Sequence, residues 1–174
     1  MTRYIGIDPS GETGMSILDK NGNYLDGFEI LSNQSNRTAK ICEIVEDIMD
    51  NLESGDVIAI EGFSFGSKGK GIDFQFGLGH AIRLELYRQD MKWIEVTPTQ
   101  VKKFATGKGT TKKENMILPI NRLWGFEHES NNVRDAFVLA QVARSVQTGS
   151  TLTEYQQDVI EAILGQSESK RKRA

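Results

Sequence analysis

The 174-residue chain predicts a mixed α/β fold, in which a five-stranded sheet is flanked by helices. Two observations carry this. Three short apolar segments follow one another over residues 2–30, the last two joined by the turn sequence Asp19-Lys20-Asn21-Gly22-Asn23, so the opening reads as an antiparallel meander. Helical and strand patterns then alternate, which adds parallel strands and helical cover. The length suits one domain with a real core. The expected division is a single domain over 1–165 and a basic flexible tail over 166–174.

The elements follow in order. Residues 2–8 form a strand that stops at Pro9, residues 13–18 a second and residues 23–30 a third. Ser35 is placed to cap a helix over about 37–52, whose Ile41, Ile44, Val45, Ile48 and Met49 recur at helical spacing. Gly55 ends that segment. Val57-Ile58-Ala59-Ile60 is a continuous apolar run, the pattern of a strand buried on both faces, and it stops at Glu61. Residues 62–71 read as a loop. The next helix covers about 73–88 and contains Gly77 and Gly79, which permit close approach by another backbone. Residues 93–96 form the last strand. Thr97 then caps a short helix with Pro98 in its first position. Gly107-Lys108-Gly109 breaks it, and Thr110 or Thr111 restarts a helix to about 123, interrupted at Pro119. Helices over 130–147 and 153–164 complete the order.

Two buried strands thus end in a carboxylate, Asp8 and Glu61. An acid at such a place is costly unless something pairs with its charge. Asp135 and Asn132 are three residues apart on a helix and share a face. If that helix packs beside the first and fourth strands, the four side chains converge. Close carboxylates repel unless a cation sits among them, and oxygen donors suit magnesium or manganese. Two such ions can clamp the attacking and leaving oxygens of a phosphodiester.

Charge is distributed unevenly. The formal net charge is −3, yet Lys92–Lys113 holds six lysines and one acid, and Lys170-Arg171-Lys172-Arg173 is basic. Such a chain can bind a polyanion on one face. The single cysteine, Cys42, leaves no internal disulfide and no cysteine-based zinc site. No stretch has the length and apolarity of a membrane span, and the first residues lack a signal-peptide layout, so a cytoplasmic protein is expected. Phe63 and Phe65 are candidates to stack on unpaired bases.

In this setting the sequence resembles the RuvC-type Holliday-junction resolvases of the ribonuclease H-like superfamily, especially phage-encoded forms. The resemblance rests on Ile5-Gly6-Ile7-Asp8-Pro9-Ser10-Gly11-Glu12-Thr13-Gly14, on Ile58-Ala59-Ile60-Glu61, on the lysine stretch from Thr97 to Glu114, and on Asn132-Val133-Arg134-Asp135-Ala136. It runs from about residue 2 to 147. It implies a ribonuclease H-like sheet and a structure-selective endonuclease that nicks four-way and other branched DNA junctions symmetrically. It implies that Asp8, Glu61 and Asp135, with Asn132, hold two magnesium ions for which manganese substitutes. By the same resemblance Lys113 joins the catalytic set and Lys102 lies near the cleaved strand. Lys103, Lys108, Lys112, Lys68, Lys70 and Phe63 or Phe65 form the expected DNA surface. The helix around Gly77–Arg88 matches the segment that forms the family's homodimer, and the setting is the cytoplasm of a bacterium or phage-infected host. One departure stands out. The family usually has Asp or His where this chain has Asn132, which leaves compensation to Asn131, His128 or Glu129. A branched-DNA binder with a weakened metal site and a relative that cleaves RNA are the alternative readings. The actin-like and sugar-kinase ATPases need two such domains, more than 174 residues supply.

Overall fold

The structure is a computed structural model and describes residues 1–63 and 71–171. Phe65, Lys68 and Lys70 lie outside the described residues. Five strands, β1 (Tyr4–Asp8), β2 (Thr13–Leu18), β3 (Tyr24–Ile30), β4 (Val57–Glu61) and β5 (Trp93–Val96), form one sheet in the order β3-β2-β1-β4-β5. β1–β2 and β2–β3 pair antiparallel, whereas β1–β4 and β4–β5 pair parallel. This is the expected meander extended by parallel strands.

The side chains of β1 alternate between two cores. Ile5 and Ile7 point to a layer made by α1 (Arg37–Asp50) and α2 (Ile72–Arg88), where they meet Ile44, Ile48, Leu78 and Ile82. Each fully buried aliphatic side chain of this kind contributes about 2 kcal/mol. Tyr4 faces the other layer, built from α3 (Pro98–Thr106), α4 (Ile117–Trp124), α5 (Asn131–Thr148) and α6 (Glu154–Arg171). Helix α5 lies directly on the sheet because the strands beneath it are nearly bare. A Cβ at Gly6 would stand 1.8 Å from the Ala136 carbonyl oxygen, and one at Gly14 would stand 2.1 Å from that of Asn132. Only glycine lets backbone meet backbone at this distance.

Caps set the helix starts. Thr97 and Gln100 form a reciprocal capping box with Pro98 in the first turn. Ser130 accepts from the amides of Asn132 and Val133 and so starts α5. The α1 cap is Asn36 rather than Ser35, its side chain accepting from the Ala39 amide at 3.0 Å. The chain does not return to helix at Thr110 or Thr111. A 3-10 turn occupies Lys113–Asn115, and α4 begins at Ile117. Pro119 lies in the first turn of α4, where its missing amide proton costs nothing, so it does not interrupt the helix. The last helix continues to Arg171, past position 166 where a flexible tail was expected. Its Val159, Ile160 and Ile163 join the α5-side core, and buried Gln156 ties it to α3 by donating to the Phe104 carbonyl at 3.2 Å.

Gly77 and Gly79 serve the chain's own packing. A Cβ at Gly79 would lie 2.6 Å from the Phe63 ring, and one at Gly77 would lie 3.3 Å from Ile41. They admit side chains of the same molecule, not another backbone. Among the described residues, no helix is long and apolar enough to cross a membrane.

Candidate active site

Asp8 ends β1 and Glu61 ends the neighbouring parallel strand β4, both on the face that α5 covers. Helix α5 brings Asp135 and Asn132 over the same strand ends. All four line one cleft of about 360 Å³, together with Lys102, Lys113, Phe63, Phe76 and Arg83. Asp8 and Asp135 are almost fully buried. The turn beyond Asp8 is held by its own hydroxyls. Thr13 Oγ1 donates to the Ser10 carbonyl at 2.7 Å and accepts from the Ser10 amide at 3.3 Å. Strand β1 therefore stops with its carboxylate at the cleft.

Burial dominates the electrostatics of the cluster. Burial, opposed by Lys113 and aided by Asp135, pushes the Asp8 carboxyl up to about 7. Burial, then the charges of Asp8 and Asp135, pushes Glu61 up to about 8. The Lys113 ammonium lies 2.6 Å from Asp135 Oδ2 and 4.0 Å from Asp8 Oδ2. Burial pulls its pKa down, but Asp135, Asp8 and Glu61 together outweigh that and raise it. Among the described residues no three acidic, histidine or cysteine side chains stand close enough to hold one ion as they are, and the Lys113 ammonium lies within 4.0 Å of both aspartates. The donor chemistry nonetheless fits a hard divalent cation. The cluster is carboxylate oxygen plus one amide oxygen, and burial, with mutual repulsion second, raises the pKa of Asp8 and Glu61.

The lysines diverge. Lys113 reaches the acids because the loop after α3 folds back on itself, with Thr106 Oγ1 and Thr111 Oγ1 2.8 Å apart and both bonded to the Lys108 carbonyl. Lys102 lines the cleft and lowers the Glu61 pKa slightly against the larger upward effects. Lys103 points the other way and pairs with Asp158 of α6 at 3.1 Å. It is removed from the cleft by the helical turn, since neighbouring positions face different directions. Lys108 and Lys112 are exposed on the loop. The helix start is displaced to Lys113 and beyond, so Thr110 and Thr111 lie in the loop that precedes it.

Phe63 is stacked within the chain. Its ring lies parallel to that of Phe76 at 5.0 Å, with His80 at 4.6 Å and the Arg83 guanidinium 4.6 Å from its centroid. His128, Glu129 and Asn131, unlike Phe63, do not line the cleft. Arg134 donates to the carbonyls of His128 and Glu129 and to the Asn131 side chain, which binds all three into the entry to α5.

Two supports escaped the sequence reading. Arg83, 8% exposed, forms a bidentate pair with Glu95 at 2.6 and 2.7 Å. It also donates to the Gly79 carbonyl at 2.8 Å and to the Glu61 carbonyl at 3.1 Å. Trp93 Nε1 donates to the same Glu95 at 2.8 Å. This network fixes the backbone of Glu61. On the other side, Glu29 of β3 accepts from Ser130 Oγ and from Asn132 Nδ2. The Arg83–Glu95 pair joins two oppositely charged residues flanking one strand end. Its only sequence signal was an Arg amid the apolar positions of a helix, and that signal is weak.

The family described as crossover junction endodeoxyribonuclease RuvC matches residues 4–144, most of the chain. The chain belongs to the RuvC family. Crossover junction endodeoxyribonuclease RuvC of Campylobacter lari is 28% identical over 147 residues, spanning 79% of this chain and 92% of the relative. The RuvC of Helicobacter pylori strain 26695 is 29% identical, spanning 79% and 93%. Thermus thermophilus RuvC superposes with a TM-score of 0.66 at 19% identity, covering 86% of this chain and 98% of that one. The same protein in complex with a Holliday junction substrate superposes at 0.67 with 17% identity, covering 87% and 98%. These two likenesses are of fold, the ribonuclease H-like sheet with flanking helices. RuvC enzymes are metal-dependent nucleases, and this member is an endodeoxyribonuclease that resolves Holliday junctions.

Proposed function

We propose that this RuvC enzyme hydrolyses four-way and other branched DNA at a two-magnesium centre held by Asp8, Glu61, Asp135 and the amide oxygen of Asn132, with manganese able to substitute. One observation carries the reading: carboxylates from β1, β4 and α5 converge in a cleft that also receives Lys102 and Lys113. When bound, the two cations would supply activation of water and charge stabilisation on the leaving 3′ oxygen. The protein's part is positional. Asp8 and Glu61 ride on adjacent parallel strands, and Arg83 pins the Glu61 backbone. Lys113 offsets the acids and offers its ammonium to the scissile phosphate. Lys102 lines the same cleft, and exposed Lys108 and Lys112 track the DNA backbone without reading bases. Phe65, Lys68 and Lys70, outside the described residues, belong to the same proposed surface.

Helix α2 supports a twofold homodimer. His80, Leu84 and Tyr87 recur at helical spacing and are exposed, Leu84 at 51% and Tyr87 at 76%. Two copies related by a twofold axis would nick opposite strands symmetrically. The working place is the cytoplasm of a bacterium or phage-infected host, as DNA is the substrate.

The test is cleavage of an end-labelled synthetic four-way junction, beside linear duplex and an RNA–DNA hybrid, with magnesium, manganese or chelator. Paired, metal-dependent nicks in the junction, absent in Asp8→Asn, are expected. Junction binding without cutting in either metal, or cutting confined to the hybrid, overturns the reading.

A further inference from the structure

We infer that Glu29 is a positioning residue. It turns the amide of Asn132 so that Oδ1 rather than Nδ2 faces the catalytic cleft, and it accounts for an amide instead of an acid at position 132. The inference rests on the reading of the cleft as a cation site.

The sheet register brings the pair together. Asp8 pairs with Gly14 across β1–β2, and Gly14 pairs with Glu29 across β2–β3. The three therefore form one row pointing to the same face. Gly14 in the middle has no side chain, and the first turn of α5 drops into that gap until the Asn132 carbonyl touches the strand. Glu29 and Asn132, 103 residues apart, then meet with Nδ2 donating to Oε1 at 3.0 Å. The same Oε1 accepts from Ser130 Oγ, the hydroxyl that caps α5. The carboxylate sits at the positive end of α5, where a negative charge is favoured.

The chemistry then leaves one orientation. An ionised carboxylate only accepts hydrogen bonds, and a carboxamide has one donating and one accepting end. Nδ2 must therefore turn to Glu29, and Oδ1 must turn away from it. Asn132 lines the cleft with Asp8 and Asp135, and Nδ2 is the end of its amide bonded to Glu29. An amide oxygen is a ligand for a hard cation, whereas an amide nitrogen is not. An aspartate at 132 would set a carboxylate against the Glu29 carboxylate with no donor between them. Positions 29 and 132 are thus coupled, so a family-like acid at 132 requires the charge at 29 to go.

The test is a set of four variants: Glu29→Gln, Asn132→Asp, the double variant, and Asp8→Asn as a control. Thermal midpoints in chelator are measured first. Asn132→Asp is expected to melt below wild type, and Glu29→Gln/Asn132→Asp to regain at least half of that loss. If Asn132→Asp melts with wild type, or the double variant melts below both singles, the coupling is wrong. Manganese binding by calorimetry is measured second. Glu29→Gln carries its own NH₂ group, lets the Asn132 amide invert, and is expected to weaken binding by about 10-fold. Unchanged affinity in Glu29→Gln overturns the positioning role. Asp8→Asn separates the two readings. If it binds manganese like wild type, the cation site is wrong, and the melting comparison still judges the Glu29–Asn132 pair.

Discussion

The acids and the lysines of this RuvC protein reach the cleft by opposite routes. Asp8, Glu61 and Asp135 come from three elements spread over 127 positions and converge. The lysines come from one short stretch and disperse: Lys102 and Lys113 enter the cleft, Lys103 pairs with Asp158 on α6, and Lys108 and Lys112 face solvent. The difference teaches that a shared address in the sequence is weak evidence of a shared role. Strand ends in one sheet are held side by side by the hydrogen-bond ladder. Successive helix positions are turned apart by the helix itself.

Substitutions at the two groups of residues have different expected outcomes. The largest effect is expected at the acids. Asp8→Asn should reduce junction cleavage to the level seen in chelator while junction binding, read by gel shift, persists. Its metal-free thermal midpoint should not fall, since one buried charge among like charges is removed. A variant that cuts like wild type would show that the convergence has no catalytic meaning.

Arg83→Ala comes next. It removes the group that holds the Glu61 carbonyl and leaves Glu95 without its bidentate partner. A loss of about 2–3 kcal/mol in urea unfolding is expected, Glu95 being partly exposed. Cleavage rate should fall with little change in junction affinity. An unaltered rate would mean that Glu61 is held well enough by its strand.

Among the lysines, Lys113→Ala should lower the cleavage rate by about 100-fold, whereas Lys103→Ala should change neither rate nor binding appreciably. An exposed pair such as Lys103–Asp158 is worth about 0–1 kcal/mol, and its removal leaves the cleft intact. Equal losses in both variants would mean that the stretch acts as an undivided basic surface.

Acidity gives the smallest and most graded effect. Asp8 and Glu61 have folded pKa values raised to about 7 and about 8, well above their ordinary values. In the metal-free protein each takes up a proton on folding between those limits. Their stabilising contribution is complete below about pH 4 and is lost as pH rises through 7 and 8. Melting in chelator should therefore fall from pH 6 to pH 8.5. Added magnesium should recover more of the midpoint at the higher pH, where no proton has to leave. A metal-induced shift that does not depend on pH would argue that the acids are not the ligands.

Much of the frame was legible because its signals are local. Apolar alternation, the Asn21-Gly22 turn, the Thr97-Pro98 start and the two strand-terminal acids each depend on a few consecutive residues, and all appear in the structure. Helix limits misplaced by a few residues, at Asn36 and Lys113, reflect capping competition among adjacent polar residues. The supports of the site were not legible. Glu29 sits on a strand whose exposed residues give no reason to single it out, and Arg83 interrupts a helix that packs on the sheet. Phe63 looked like a loop aromatic free to meet bases, and the bare Cα of Gly79 gives its ring a seat beside α2.

The five strands, the helices that cover them and the acids at the ends of β1 and β4 follow from local sequence, since hydrophobic period and strand-terminating turns are properties of neighbours. Which lysines reach the cleft, which arginine braces Glu61 and which carboxylate bonds Asn132 follow from packing between distant elements. Those choices depend on sheet register, on where α2 packs, and on how closely α5 settles over Gly6 and Gly14, the last being contacts between residues more than a hundred positions apart.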